Sequence, residues 1–98
     1  MNLENTRRLI DDVDTHIVAL LNRRAKLARQ ISGIKTQAGL PIIDRGREEI
    51  VLRRVVGLNA GHMDDCALLG IYREILSESR RIQNDAVSKA GAVTEVSK

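Results

Sequence analysis

Between Leu3 and Gln37 the apolar residues fall into two columns seven apart. One runs Leu3, Ile10, Ile17, Arg24, Ile31, Ala38, and the other runs Thr6, Val13, Leu20, Leu27, Ile34. Apolar positions recurring three and four residues apart lay a single stripe along an α-helix. No proline precedes Pro41 and no glycine precedes Gly33, so little interrupts the pattern. The break within the columns is Arg24, a cation where the spacing asks for a hydrophobe. An unpaired guanidinium in a core is very costly, so an anionic group is expected to meet it.

Such a helix is long for its chain. At about 1.5 Å per residue, about 35 residues span roughly 52 Å. A compact globule of this chain length has a radius of gyration of only about 13 Å. The stripe therefore projects past any monomeric core, which predicts a homodimer in which two such helices pack together. The alternative is a solvated amphipathic helix, which leaves Ile10, Val13 and Ile17, or Ile31 and Ile34, in water.

The remaining pattern is shorter-ranged. Asn5 or Thr6 caps the first helix, unless it begins nearer Asn2. Ala38-Gly39 reads as a stop, and Pro41 forbids simple continuation. Ile42 and Ile43 are expected to anchor the turn in the core. A second helix starts near Asp44 with a charged first turn, Asp44 to Glu48. Val51, Leu52, Val55 and Leu58 give it an apolar face, and Gly57 and Gly61 mark its exit. Asp64 caps a third helix, whose inner face holds Leu68, Leu69, Tyr72, Ile75, Leu76, Ser79, Ile82 and Gln83. After Asn84 the pattern fades, and the small, polar stretch from Ala90 to Lys98 reads as a frayed tail or linker. The chain thus reads as all-α, with one long and two shorter helices. Residues 1–84 form a helical domain and residues 85–98 a polar tail or linker.

Composition narrows the chemistry. The 98 residues suffice for one domain, and 43% are hydrophobic, enough for a core. That core is aliphatic, because the chain has one Tyr and no Phe or Trp. Sixteen bases against 13 acids give a net charge of +3, with no basic run longer than two residues. Missing aromatics and interspersed acids argue against nucleic acid as a partner, and the small excess suits a small anionic ligand. Cys66 is alone, so no intramolecular disulfide is possible, and His16 and His62 show no metal-ligand spacing. No apolar run approaches about 18 residues and no secretory leader is visible, so no membrane association is expected and the location is expected to be cytoplasmic.

The candidate site is the inward polar set: Arg24, Ser79 and Gln83 within apolar faces and Lys35 on a flanking column, with Arg7 from a neighbouring chain and Arg47 and Glu48 from the second helix. Arg24 and Lys35 are 11 residues apart, so they nearly share an azimuth and lie about 16 Å apart along the axis. Arg7 lies about 25 Å from Arg24. In an antiparallel dimer, Arg7 of one chain approaches Arg24 of the other. From spacing alone, Asp44, Arg47 and Glu48 read better as a helix cap with surface ion pairs. No nucleophile–base pair, phosphate loop or metal set appears. What remains is a cationic cavity suited to a small dicarboxylate and to a reaction that needs orientation and fixed charge rather than proton transfer.

The ordered set Arg7, Arg24, Lys35, Asp44-x-x-Arg47-Glu48, Ser79, Gln83 resembles the all-helical chorismate mutase family, over roughly residues 3 to 84. The resemblance implies an intertwined homodimeric bundle with two equivalent sites. It implies conversion of chorismate to prephenate, toward phenylalanine and tyrosine, with no cofactor and no metal. It gives Arg24 and partner-chain Arg7 the substrate carboxylates, assisted by Ser79. It gives Lys35 and Gln83 the ether oxygen and Glu48 the ring hydroxyl, with Arg47 and Asp44 organising the rim. Gln83 donates at any pH, so activity is expected not to require acid. Two rivals remain. One is an isochorismate pyruvate lyase of the same fold; the other is a non-catalytic helical dimerisation module with Arg24 setting its register. Mutase domains of this family are often fused to other pathway enzymes, such as prephenate dehydratase, so the tail is either a severed linker or a natural C-terminus.

Overall fold

The computed structural model describes the backbone of residues 2–96 and the side chains of residues 2–89. Three helices follow one another: α1 (Leu3–Ala38), α2 (Arg45–Leu58) and α3 (Asp65–Val96). Their ends are set by short polar side chains and one glycine. Asn2 caps α1, its Oδ1 accepting from the Asn5 N–H at 2.8 Å, so the earliest of the candidate caps is the one used. At the other end Gly39 turns left-handed (φ 70°), and the Leu40 N–H returns to the Lys35 carbonyl at 2.9 Å. A side chain at that φ is strained, so glycine is the residue that lets the chain leave there. Asp44 caps α2 through its Oδ1 and the Arg47 N–H at 2.9 Å. Asp64 precedes α3, its carbonyl accepting from the Leu68 N–H at 3.0 Å.

The third helix departs from the sequence pattern. It runs 32 residues, nearly the 36 of α1, continuing through Asn84 to Val96. Residues 85–96, expected as tail or linker, therefore have helical backbone; Ser97 and Lys98 lie outside the described residues. The stretch holds no proline, and Ala86, Ala90 and Ala92 favour helix even where no amphipathic pattern marks it.

α3 is the shared element, packed against both α1 and α2. The face that α1 turns to α3 is not the aliphatic stripe. It is the row Arg24, Ala28, Ser32, Lys35, spaced four, four and three. Ala28 and Ser32 are buried, and Arg24, Ser32 and Lys35 all hydrogen-bond residues of α3. Small side chains at 28 and 32 let the two helices approach closely. Arg24 thus belongs to a polar row that faces the chain's own α3, and the expected burial of the cation in an aliphatic stripe is corrected accordingly.

The stripe itself stays open. Ile10, Ile17, Leu20 and Ile34 are 46–64% exposed. The molecule measures 63 × 28 × 16 Å with a radius of gyration of 17.6 Å, against about 13 Å for a compact globule. Its accessible surface is 7994 Å². A compact monomer of 10.9 kDa exposes about 5,600 Å², so roughly 2,400 Å² is in excess. Two further assignments to the core do not hold. Leu58 closes α2 at 68% exposure, and Ile43 points outward from the turn at 48%, whereas Ile42 turns inward. The interior is thin: among the described residues Val55 and Leu76 are its buried aliphatics besides Ala28.

Candidate active site

The polar row on α1 faces the middle of α3, and the first turn of α2 closes the gap between them. Together they enclose a cavity of about 310 Å³, at the small end of ordinary ligand sites. Its floor is apolar, made by Leu27, Ala28, Ile31, Ile42, Val51 and Leu76. Its polar lining is Arg24, Lys35, Asp44, Arg47, Glu48, Ser79, Arg80 and Gln83. Seven of the eight residues singled out from sequence therefore meet here. The eighth, Arg7, does not line this cavity. It sits 17 residues before Arg24 on α1, about 25 Å along the axis.

Each polar side chain is held by its neighbours. Arg24 Nη1 donates to Ser79 Oγ, tying α1 to α3. One turn further, Ser32 Oγ donates to the Gln83 carbonyl at 3.0 Å, and Ser32 is 2% exposed. Lys35 Nζ donates to the Ile42 carbonyl at 2.8 Å and to Gln83 Oε1 at 3.1 Å. An ammonium has three N–H donors, so one remains. Gln83 is buried and accepts through its oxygen, which leaves its amide nitrogen as a donor beside that same ammonium.

The two carboxylates are already engaged. Asp44 caps α2, as the plainer reading of its spacing suggests, and it forms no ion pair with Arg47. Glu48 Oε1 pairs with Arg80 Nη1 at 2.6 Å, across from α2 to α3. Among the described residues no carboxylate lies in ion-pair contact with Arg24, Lys35 or Arg47. Four cations against two carboxylates leave the lining formally +2. The exposed ion pairs elsewhere run along single helices, and there Arg81, by its hydrogen bond, holds the Glu78 carboxyl below its usual range. Exposed pairs of that kind contribute little. Unpaired cations gathered around a cavity are a different matter, since they await an anion.

Sequence reasoning missed Arg80 and Ser32. Arg80 follows Leu76 by four residues and precedes Gln83 by three, a spacing that puts all three on one face. Ser32 lies one turn after Ala28, and two small residues at that interval signal a close helix contact. Among the described residues no group of His, Cys, Asp and Glu is gathered in metal-binding number. Among the described residues no helix is long and apolar enough to cross a membrane.

Comparison with known proteins bears directly on this site. Residues 6–84 match the family described as Chorismate mutase type II. The chain is similar to a bifunctional chorismate mutase/prephenate dehydratase of Aquifex aeolicus, 43% identical over 79 residues, which cover 76% of this chain and 22% of that protein. A chorismate mutase of Methanocaldococcus jannaschii is 30% identical over 82 residues, which cover 83% of each chain. A crystal structure of Helicobacter pylori chorismate mutase in complex with prephenate superposes with a TM-score of 0.79 at 34% identity, covering 88% of this chain and 93% of that one. The chain thus spans about a fifth of the length of the bifunctional relatives it matches and most of the length of the free-standing one. The matched segment holds every polar residue of the cavity, and the three helices that build the cavity superpose on a solved mutase. The chain belongs to the chorismate mutase type II family.

Proposed function

We propose that this chain converts chorismate to prephenate, in sites shared between two identical subunits. The observation that supports the reading most strongly is the set of unpaired cations, Arg24, Lys35 and Arg47, around a cavity of about 310 Å³. Chorismate is a dicarboxylate, and its charge complements the +2 of the lining. The rearrangement is unimolecular: one carbon–oxygen bond breaks as one carbon–carbon bond forms, with no proton lost or gained. The protein must hold the substrate in its folded chair and stabilise the negative charge that builds on the ether oxygen.

The roles follow from what each group has left to offer. Arg24, steadied by Ser79, grips one carboxylate. The free N–H of Lys35 and the amide of Gln83 converge on the ether oxygen. Fixed donors of this kind are worth about 3–4 kcal/mol each at the transition state. Glu48, with one oxygen on Arg80, accepts from the ring hydroxyl with the other. Arg47 and Asp44 shape the rim at the start of α2. Arg7 of the partner adds a further arginine, which takes the second carboxylate. A homodimer is supported by the open aliphatic stripe on α1 and by the excess surface, which is of the size that obligate interfaces bury. A cytoplasmic place in phenylalanine and tyrosine biosynthesis accompanies this reading.

The test is direct. Purified protein should deplete chorismate with prephenate as the product, and its mass in solution should be twice 10.9 kDa. Salicylate from isochorismate without prephenate from chorismate would reverse the assignment in favour of a lyase. A stable dimer inert toward both substrates would leave the chain a helical interaction module.

A further inference from the structure

Arg80 has no contact with the substrate in the roles set out above, yet it lines the cavity and holds one of its two carboxylates. It lies one residue beyond Ser79 and three before Gln83 on α3, while Glu48 lies in the first turn of α2. Their contact at 2.6 Å joins two helices, with the side chains 37% and 22% exposed. So sheltered a carboxylate needs a counter-charge. Other cations share its cavity: Lys35 and Arg24 on α1 and Arg47 beside it on α2. Asp44 is held as the cap of α2 and competes for none of them.

Resting on the reading of the site given above, we propose that Arg80 is a positioning residue. It occupies Glu48, so that Glu48 does not turn onto Lys35 or Arg24 and neutralise the charge the ligand requires. Arg80 thereby keeps three cations of the cavity open to the dianion, and it fixes the remaining Glu48 oxygen toward the ligand. Arg80 acts through Glu48 and does not touch the substrate. Removing it leaves a carboxylate that closes the empty cavity by pairing inward. The ligand must then break that pair before it binds.

The test is a cycle of four proteins: the parent, Arg80→Gln, Glu48→Gln and the double variant. Each is titrated with prephenate by calorimetry, which needs no turnover, and each is checked for helical circular dichroism. In the parent background, Arg80→Gln should weaken prephenate binding about tenfold, inside the range shown by coupled neighbours. In the Glu48→Gln background the same change should alter binding by less than about twofold, because no carboxylate remains to turn inward. Arg80→Lys, which keeps the charge, should restore most of the loss and guards against a variant that folds poorly. Equal losses in both backgrounds would mean that Arg80 grips the ligand itself, and no loss in either would mean that Glu48 needs no keeper. Either result overturns the inference. A parent protein that fails to convert chorismate would instead undo the reading of the site on which it rests.

Discussion

Replacing Gln83 with glutamate tests the chemistry at its centre. Gln83 is 8% exposed and its Oε1 lies 3.1 Å from Lys35 Nζ. A carboxylate fits the same space, but it offers no N–H and draws the Lys35 ammonium onto itself. The ether oxygen then loses one donor outright and has the other pulled away. One such donor is worth about 10²–10³ in rate, so Gln83→Glu should cost at least about 10³-fold in kcat at neutral pH. Protonation reverses the defect, because a carboxylic acid donates where the amide did. The active form is the protonated one, so activity is present below the carboxyl's pKa and lost as pH rises through it, about tenfold per pH unit. The parent, whose amide does not titrate, should hold its rate above about pH 6. The assay is loss of chorismate from about pH 4.5 to about pH 8.5, with helicity followed over the same range. A Gln83→Glu variant that matches the parent at neutral pH, or that is equally impaired at every pH, would refute the donor role.

Other changes read other parts of the account. Arg24→Ala and Lys35→Ala should each lower kcat/KM by about 10²–10³ while the mass in solution stays that of a dimer; retained turnover would remove either from the site. Ile17→Asp places a charge on the open stripe, where each isoleucine buried in a dimer stabilises it by about 1.5–3 kcal/mol. Sedimentation should then report a mass near 10.9 kDa, with turnover lost in parallel. Ser32→Ala removes the hydroxyl that bonds the Gln83 carbonyl, at a cost of about 1 kcal/mol. The melting temperature should drop by roughly 4–8 °C, and an unchanged melt would show that this contact carries no stability.

Most of the cavity was legible because its residues break a pattern. Arg24, Ser79 and Gln83 are polar where helix periodicity asks for apolar, Lys35 nearly shares the azimuth of Arg24, and all four line the same cavity. What stayed hidden has physical causes. Periodicity reports that a face is apolar and not which chain covers it. The stripe and the small polar row on α1 were therefore merged, although it is the row whose Arg24, Ser32 and Lys35 bond the chain's own α3. Arg80 escaped notice because an arginine beside a serine on a mid-length helix resembles an ordinary surface cation until the carboxylate opposite is placed. The length of α3 was hidden because an alanine-rich segment stays helical with no amphipathic signature to announce it. Ile43 was assigned inward with Ile42, yet Ile43 is 48% exposed and of the two Ile42 lines the cavity.

The central claim is that the cavity is completed by Arg7 of a second chain. Arg7→Ala and Arg24→Ala variants, each nearly inactive alone, address it when they are denatured, mixed in equal amounts and refolded together. Random pairing makes half the dimers hybrids, and each hybrid carries one site with both arginines intact and one with neither. The mixture should therefore regain about a quarter of the parent's activity. A mixture no more active than its separate components would contradict a site built between two chains.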